Sequence, residues 1–268
     1  MLHIENMSKV FYKGTVNENA IFDKFDLDVN DGDFITIIGS NGAGKSTLLN
    51  IISGSIEMDE GRILLKNKNI SRMPEYKRTR MIGRVFQSPA IGTSPSMTIL
   101  ENLSMAYNKG KRFDLSWGIS RKNIPYFKDA LKELSLGLEN RLNIKVGLLS
   151  GGQRQALSLL MASMSNPELL LLDEHTAALD PKASETITEL TKKIISKKNI
   201  TTLMVTHNLS QAISMGNRLI MLHHGRIVLD IGGDDKRKLT REKLLKCFDK
   251  IQSESESDDV LSDRIAFS

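Results

Sequence analysis

A glycine-rich segment in the first fifth of the chain constrains the fold more than any other feature. Residues 39–47 read GSNGAGKST, which fits the pattern G-x-x-x-x-G-K-[S/T]. The apolar run at residues 34–38 predicts a strand buried on both faces, and residues 46–53 predict a helix. Because this motif requires a strand before it and a helix after it, the flanks favour a phosphate-binding loop over a glycine-rich turn that binds nothing. An α/β fold is therefore expected.

The chemistry of the loop gives each fixed position a role. Glycine lets the backbone turn tightly and approach a phosphate without an intervening side chain. The loop amides meet the N-terminus of the following helix, where the macrodipole favours negative charge. Lys45 would reach the β- and γ-phosphates, Ser46 would offer a hydroxyl to Mg²⁺, and Thr47 can hydrogen-bond a phosphate. The predicted nucleotide contacts are Gly39, Ser40, Asn41, Gly42, Ala43, Gly44, Lys45, Ser46 and Thr47.

A second segment supplies the acidic groups that phosphoryl transfer needs. Residues 169–175 read LLLLDEH, so an apolar strand ends at two carboxylates, Asp173 and Glu174. Ligands of open α/β sheets bind at the carboxyl ends of the strands. Asp173 would hold Mg²⁺ through water, and Glu174 would polarise the attacking water. His207 follows the apolar strand TTLMV and could reach the γ-phosphate, although solvated acids and loop histidines are common on their own.

The spacing of apolar residues divides the chain into three parts. Residues 25, 27 and 29 are apolar and alternate with aspartates, which predicts a half-buried strand. Between about residues 76 and 138, apolar residues recur at helical spacing and predict a small helical subdomain, with Phe127, Ala130, Leu131 and Leu134 on its inner face. After residue 169, strands alternate with helices and end in a hairpin at 218–229. This order predicts a mostly parallel sheet covered on both faces.

Composition narrows the classes of protein without selecting one. No apolar run approaches the roughly 20 residues that span a bilayer, and the first residues lack an apolar signal segment. A protein that stays in the compartment where it is made is therefore expected. The formal net charge of +5 fits nucleotide phosphates, nucleic acid or an anionic membrane surface. The single cysteine, Cys247, cannot form an internal disulfide, and its apolar neighbours predict a packing role.

The segment LSGGQ at residues 149–153 points to a family. Together with the other motifs it makes an ordered set of six: the loop at 39–47, Gln87 in VFQSP, LSGGQ, Asp173 with Glu174, ALD at 178–180, and His207. This set resembles the nucleotide-binding domain of ABC transporters over about residues 2–230. Six elements in this order are far more specific than any one motif alone.

The resemblance implies a P-loop NTPase fold of the ABC type. Such a fold has a mostly parallel sheet core, an N-terminal antiparallel β subdomain and an inserted α-helical subdomain. The ATP-binding domain would occupy residues 1–250, with the helical subdomain inserted at about 88–165. Residues 251–268 include the acidic run SESESDD and are predicted to form a disordered tail.

The resemblance also implies that two copies bind head to tail, with ATP between the phosphate loop of one copy and LSGGQ of the other. Ser150 and the two glycines after it, at a helix start, would form a second phosphate nest. The implied cofactors are ATP and Mg²⁺. Carried over to this sequence, the catalytic residues would be Glu174, His207 and Gln87, and the metal ligands would be Ser46, Gln87 and Asp173. The further nucleotide-binding residues would be Ser150, Gly151, Gly152, Gln153 and Asp180. Of these, Ser150 and Gly152 would act from the other copy, and Asp180 would lie across the interface.

A few positions leave choices open or depart from the family. Phe11 in SKVF matches the aromatic residue that stacks on adenine, with the neighbouring Tyr12 and a plain core role for Phe11 as alternatives. His175 stands where the family usually has proline, and Asn208 stands where it usually has aspartate. Neither change removes a catalytic group, so activity is expected to survive.

The chain has a single set of these motifs and shows neither a fused membrane domain nor a long coiled-coil insertion. In this it resembles the stand-alone ATPase subunits of importers of the branched-chain amino acid-like type. The implied partners are a second ATPase subunit, most simply a second copy, an integral membrane permease and an extracytoplasmic binding protein, and no nucleic acid is expected. The protein would be cytoplasmic and attached to the inner face of the cell membrane through the permease. The alternatives are an exporter ATPase and a regulatory or nucleic-acid-handling ABC ATPase.

The segment at residues 108–127 is rich in lysine and arginine and carries Trp117. Its placement resembles an insertion seen in subunits of branched-chain amino acid-type importers. One interpretation is a solvated loop. The other is a surface that lies near permease loops or anionic lipid headgroups.

Overall fold

The computed structural model describes residues 1–111 and 118–247. Its strands are β1 (Leu2–Phe11), β2 (Asn19–Val29), β3 (Phe34–Gly39), β4 (Glu60–Leu65), β5 (Lys68–Asn69), β6 (Ile82–Val85), β7 (Leu169–Asp173), β8 (Thr201–Val205), β9 (Arg218–His223) and β10 (Arg226–Gly232). Its helices are α1 (Lys45–Ser53), α2 (Glu75–Arg78), α3 (Ile99–Asn108), α4 (Ile124–Lys132), α5 (Gly151–Met164), α6 (Pro181–Lys198), α7 (Leu209–Ser214) and α8 (Gly233–Arg237). Part of the basic segment, including Trp117, and the acidic tail lie outside the described residues.

Four strands near the N-terminus form an antiparallel sheet in the order β2-β1-β4-β5. Phe25, Leu27 and Val29 of β2 are buried, and the aspartates between them are exposed. The predicted alternation is confirmed, because successive side chains of a strand point to opposite faces.

The central sheet has six strands in the order β10-β9-β3-β8-β7-β6. All neighbours from β9 to β6 run parallel, and β10 pairs antiparallel with β9. His224 and Gly225 connect β9 to β10 with φ angles of 44° and 70°, which makes a tight two-residue turn. The mostly parallel core and the separate antiparallel sheet confirm the predicted fold class.

Two hydrophobic cores cover the two faces of the central sheet. Leu169 and Leu171 of β7 pack into the core shared with α1 and the antiparallel sheet. Leu170 and Leu172 pack into the opposite core, which contains apolar residues of α3, α4, α5 and α6. The continuous apolar run of β7 is therefore explained by burial on both faces.

Helices α3, α4 and α5 occupy the chain between β6 and β7. Phe127 and Leu131 of α4 are fully buried in the second core, as their helical spacing predicts. Tyr107 of α3 packs its ring edge-on against Phe127, with ring centroids 5.7 Å apart. Within the described residues, no helix combines the length and the apolar character that crossing a bilayer requires.

The C-terminal part of the described chain closes a third, smaller core. Leu239 and Leu244 pack there against Ile38 and Leu219 of the central sheet. Cys247, for which the sequence predicts a packing role, is half-buried against this cluster.

Candidate active site

The site lies at the carboxyl ends of β3, β7 and β8, three interior strands of the central sheet. The three strands are direct neighbours, because Asp173 pairs with Val205 and Val205 pairs with Ile37. The loop after β3 carries the phosphate motif, and the loops after β7 and β8 carry Glu174 and His207. The parallel register therefore brings three segments that are distant in sequence to one edge.

Glycine is required at two points of the phosphate loop. Gly44 has a φ of 97°, and a Cβ there would lie 2.8 Å from Cζ of Phe22. A Cβ on Gly39 would lie 2.2 Å from the Leu222 carbonyl oxygen. Both distances are shorter than a carbon atom allows, so the loop can follow this path only with glycine at these positions.

Lys45, at the start of α1, folds back over the loop. Its Nζ donates to the carbonyl oxygens of Gly39 at 2.9 Å and Ser40 at 2.8 Å. Burial lowers the pKa of the Lys45 ammonium, and the negative charges of Glu174 and Asp173 partly offset that shift. The cation is thus held at the loop, beside both carboxylates.

The residues present fit Mg²⁺ bound to a nucleotide. The Ser46 hydroxyl lies 3.4 Å from Oδ1 of Asp173, so a hydroxyl and a carboxylate oxygen converge beside the phosphate loop. Mg²⁺ prefers such oxygen ligands and usually takes one or two from the protein and the rest from phosphates and water. Gln87, the third predicted ligand, follows β6 at the same edge of the sheet and is exposed.

Glu174 and His207 form a close pair. The His207 Nε2 atom lies 2.6 Å from Glu174 Oε1. Glu174 has a left-handed φ of 44°, and its backbone N–H donates to the Val205 carbonyl at 3.0 Å. This turn presents the carboxylate beyond the end of β7, next to the neighbouring strand's histidine.

The LSGGQ residues form a second group, together with Asp180. Ser150 caps α5 by accepting from the Gln153 N–H at 3.2 Å, and Gln153 Oε1 accepts from the Ser150 N–H at 3.2 Å. Asp180 caps α6 by accepting from the Ala183 N–H at 3.0 Å. The two helix starts touch, since a Cβ on Gly152 would lie 3.0 Å from Ala183 Cβ. Gly151 lies on the same side, facing Leu179.

The adenine-stacking candidates sit at the end of β1. Phe11 is half-buried, and the Lys9 ammonium lies 5.3 Å from its ring centroid. Tyr12 is 71% exposed and has a left-handed φ of 53°. The choice of Phe11 over Tyr12 stays a prediction.

His175, the departure from the family pattern, is fully buried under the site. Its Nε2 lies 3.0 Å from the Thr191 hydroxyl of α6. Burial lowers the pKa of His175 to about 4, so the ring is neutral at physiological pH.

Sequence reasoning missed two polar side chains of the site. Arg84 of β6 contacts Asp173, and Gln211 of α7 joins the loops after β7 and β8. The available signal for Arg84 was a charged residue inside a short apolar strand, IGRV. Gln211 gave no signal, because a single glutamine in a short helix is ordinary.

Comparison with known proteins agrees with this geometry. The sequence pattern of the family described as ABC transporter matches residues 22–177. The tyrosine transport ATP-binding protein of Clostridioides difficile is 53% identical over 93% of this chain and 99% of its own length. The spermidine/putrescine import ATP-binding protein of Haemophilus influenzae is 35% identical over 81% of this chain, which spans 55% of that longer protein.

Solved structures of the same kind superpose closely. The dimeric, post-hydrolysis ATP-binding cassette MJ0796 bound to ADP and Pi has a TM-score of 0.74 at 30% identity, over 87% of this chain and 98% of that one. CbiO1 of Clostridium perfringens, part of the transporter complex cbiONQ, has a TM-score of 0.73 at 26% identity, over 91% and 92% of the two chains.

Proposed function

The chain belongs to the ABC transporter family, whose ATPases hydrolyse ATP to power transport, and we propose that it is the ATPase subunit of an amino-acid importer. The observation that carries the proposal is the 53% identity to a tyrosine transport ATP-binding protein over nearly the full length of both chains. That similarity supports tyrosine or a related aromatic amino acid as the solute.

The proposed chemistry assigns one task to each group at the sheet edge. Lys45 and the loop amides bind the phosphates. Ser46 and Asp173 would hold Mg²⁺, which would neutralise charge on the phosphate oxygens. Glu174 orients and polarises the attacking water, while His207, 2.6 Å away, fixes the carboxylate and reaches toward the γ-phosphate. Gln87, in the loop after β6, would offer a further oxygen to the metal.

The proposed working unit is a head-to-tail dimer. Ser150, Gly151 and Gly152 lie at the start of α5, where free amides and the helix dipole favour an anion. They group with Asp180 and contact α6, whereas Lys45 is bonded to its own phosphate loop. We expect this second group to bind the nucleotide held by a partner copy. The MJ0796 cassette, which was solved as a dimer, supports a dimeric working unit.

A groove beside Gln87 is the proposed contact for a membrane permease. It has a volume of about 370 Å³ and lies between β6, α3 and α5. Ile91 and Met105 line it and are 66% and 49% exposed. Exposed apolar side chains at one groove are typical of a protein contact, and this contact would place the ATPase at the cytoplasmic face of the membrane. An extracytoplasmic binding protein would complete the system.

Co-purification tests this function. The tagged chain, extracted from native membranes in mild detergent, should bring down a multi-span permease and an extracytoplasmic binding protein, identified by mass spectrometry. In proteoliposomes of these components, tyrosine-loaded binding protein should stimulate ATP hydrolysis. Lys45→Ala is the matched control: it should assemble with the permease but show no stimulated hydrolysis, because the phosphate-binding ammonium is gone.

Three outcomes separate the parts of the proposal. Stimulation by another amino acid but not by tyrosine would correct only the solute. Recovery of a permease whose vesicles expel solute would correct the direction. Recovery of no membrane protein at all would refute a role in transport by this chain.

A further inference from the structure

Arg84 stands in the middle of β6, a strand that is otherwise apolar. Ile82 and Val85 are buried, and the Arg84 side chain is only 11% exposed. A guanidinium ion is costly to bury unless its donors are satisfied, and both terminal nitrogens of Arg84 have partners, whereas its Nε has none among the described residues. Its partners therefore indicate what the buried charge is for.

The guanidinium group joins two elements that carry the site. One terminal nitrogen donates to Asp173 Oδ2 at 3.2 Å and to Asn50 Oδ1 at 2.7 Å. The other donates to the Ser53 hydroxyl at 3.0 Å. Asn50 and Ser53 belong to α1, the helix that starts at the phosphate loop, and Asp173 ends β7. Arg84 thus ties the helix of the phosphate loop to the metal-binding strand.

A third contact extends this link toward Gln87. The Arg84 guanidinium carbon lies 4.6 Å from the ring centroid of Phe86, the residue just before Gln87. The Phe86 carbonyl accepts from Nε2 of the buried Gln155 on α5 at 3.1 Å. Phe86 is therefore fixed from the side of α5, and its ring gives the guanidinium a second surface to lie against.

These contacts give the two carboxylate oxygens of Asp173 different partners. Oδ2 is held by Arg84, whereas Oδ1 faces the Ser46 hydroxyl at 3.4 Å. Rotation of the carboxylate would break the contact to Arg84, because the guanidinium is itself anchored to α1. Arg84 thus fixes the orientation of Oδ1, the oxygen beside the phosphate loop, through its bond to Oδ2.

We propose that Arg84 is a positioning residue for magnesium, which fixes the Asp173 carboxylate so that Oδ1 and the Ser46 hydroxyl present a ready pair of oxygens to the Mg²⁺ of the nucleotide. This inference rests on the proposed role of Asp173 as a metal ligand. Mg²⁺ demands a near-ideal octahedral geometry, and groups that orient metal ligands affect metal affinity strongly.

The positive charge of Arg84 and its hydrogen bonds to Asp173 and α1 should have opposite effects on Mg²⁺ affinity. A fixed positive charge behind Asp173 reduces the attraction of the carboxylate for a cation. Removal of Arg84 would strengthen Mg²⁺ binding if charge dominated, and would weaken it if orientation dominated. The sign of the effect therefore distinguishes positioning from a plain ion pair.

The experiment measures binding and needs no turnover. Fluorescent ADP is first titrated onto the full chain in EDTA, which gives the ADP affinity without Mg²⁺. Mg²⁺ is then added, and the concentration that produces half of the maximal increase in ADP affinity is determined. Arg84→Met keeps length and apolar packing but removes all donors. We expect its ADP affinity in EDTA to stay within twofold of wild type, and its half-maximal Mg²⁺ concentration to rise by about tenfold or more.

Two further variants make the result decisive. Arg84→Lys keeps a charge that can reach Asp173 but cannot also bridge to α1, so an intermediate shift is expected. Arg62→Met is the matched control, since Arg62 pairs with Glu5 on the antiparallel sheet, and its Mg²⁺ dependence should equal that of wild type. If Arg84→Met fails to fold in thermal unfolding, Arg84→Lys alone carries the test.

The outcomes separate this inference from its premise. Unchanged or tighter Mg²⁺ binding in the folded Arg84 variants would overturn the positioning role. Asp173→Asn should raise the half-maximal Mg²⁺ concentration at least as much as Arg84→Met does. If Asp173→Asn has no effect, the premise itself fails and the inference falls with it.

Discussion

Glu174 has a backbone conformation that few residues other than glycine adopt. Its φ of 44° is stabilised by its N–H bond to the Val205 carbonyl and by the contact of its carboxylate with His207. Left-handed residues of this kind cost of order 1 kcal/mol or more and persist where the surroundings hold them. The strain directs the carboxylate past the end of β7, where a water attacking a phosphate would lie.

Replacement of Glu174 by glutamine should separate ATP binding from ATP hydrolysis. Glutamine has the same shape and can still contact His207, but it cannot take a proton from water. We expect ATP affinity within about twofold of wild type and a fall in turnover of about 100-fold or more, the usual size of a general-base contribution. Nucleotide titration and phosphate release measure the two quantities.

Glu189→Gln is the control for this prediction, because Glu189 is an exposed residue of α6 that pairs with Lys192. It should leave both quantities unchanged. Wild-type turnover in Glu174→Gln would show that another group orients the water.

Helix α8 shows how a short element can be held in place by one side chain. Lys236 is 3% exposed, and its ammonium donates to the Thr36 hydroxyl at 3.2 Å, to the Arg218 carbonyl at 3.3 Å and to the Met215 carbonyl. Three donors thus meet three acceptors on β3, β9 and the end of α7. Burial lowers the pKa of Lys236 to about 8 from its ordinary value of 10.5.

This shift predicts how stability depends on pH. Below pH 8 the lysine is charged in both the folded and the unfolded chain, so it contributes no slope. Between about pH 8 and pH 10.5 the unfolded chain binds more protons, so this group makes the free energy of unfolding rise with pH. Relative to Lys236→Met, wild type should gain up to about 2 kcal/mol between pH 7.5 and pH 9.5.

Urea unfolding at several pH values measures this difference. Lys238→Met is the control, because Lys238 is exposed two residues away, and its difference from wild type should not vary with pH. A difference between wild type and Lys236→Met that stays constant up to pH 10 would show that Lys236 keeps its ordinary pKa in the fold.

The sequence predicts the strands and helices better than it predicts which side chains meet in the site. The apolar run at 34–38 matches β3 to within one residue, because burial on both faces of a strand leaves a direct pattern in the sequence. Arg84 and Asp173 are 89 positions apart, and Thr176 and Gln211 are 35 apart. Such pairs depend on how the strands and helices pack, and no local pattern encodes them.

Across the whole molecule, the phosphate loop and LSGGQ belong to separate groups of contacts. Lys45 is held by its own loop, and Ser150 caps α5 beside α6. Thr98 caps α3 in the same way, by accepting from the Glu101 N–H, with Glu101 reaching back to the Thr98 N–H. Ser150 and Thr98 thus cap their helices with the same pair of bonds. Of these two residues, Ser150 belongs to the proposed ATP interface and Thr98 does not.

Alanine at each cap should have equal effects on the fold and unequal effects on assembly. Ser150→Ala and Thr98→Ala should each cost about 1 kcal/mol of stability. In the Glu174→Gln background, only Ser150→Ala should raise the ATP concentration for half-maximal dimer formation, by about tenfold, because its hydroxyl would bind a charged phosphate. Size-exclusion chromatography with light scattering measures the dimer, and an equal effect of both variants would argue against the head-to-tail arrangement.

Gln211 uses the full bonding capacity of one amide. Its oxygen accepts from the Thr176 and Thr206 hydroxyls, and its nitrogen donates to the Ser184 and Thr188 hydroxyl oxygens. The Thr188 hydrogen already goes to the Ser184 carbonyl, so glutamate at position 211 would set an acceptor against an oxygen with no hydrogen to give. We therefore expect a glutamate at position 211 to be tolerated only together with a second substitution, at Ser184 or Thr188 of α6, that restores a hydrogen-bond donor facing it.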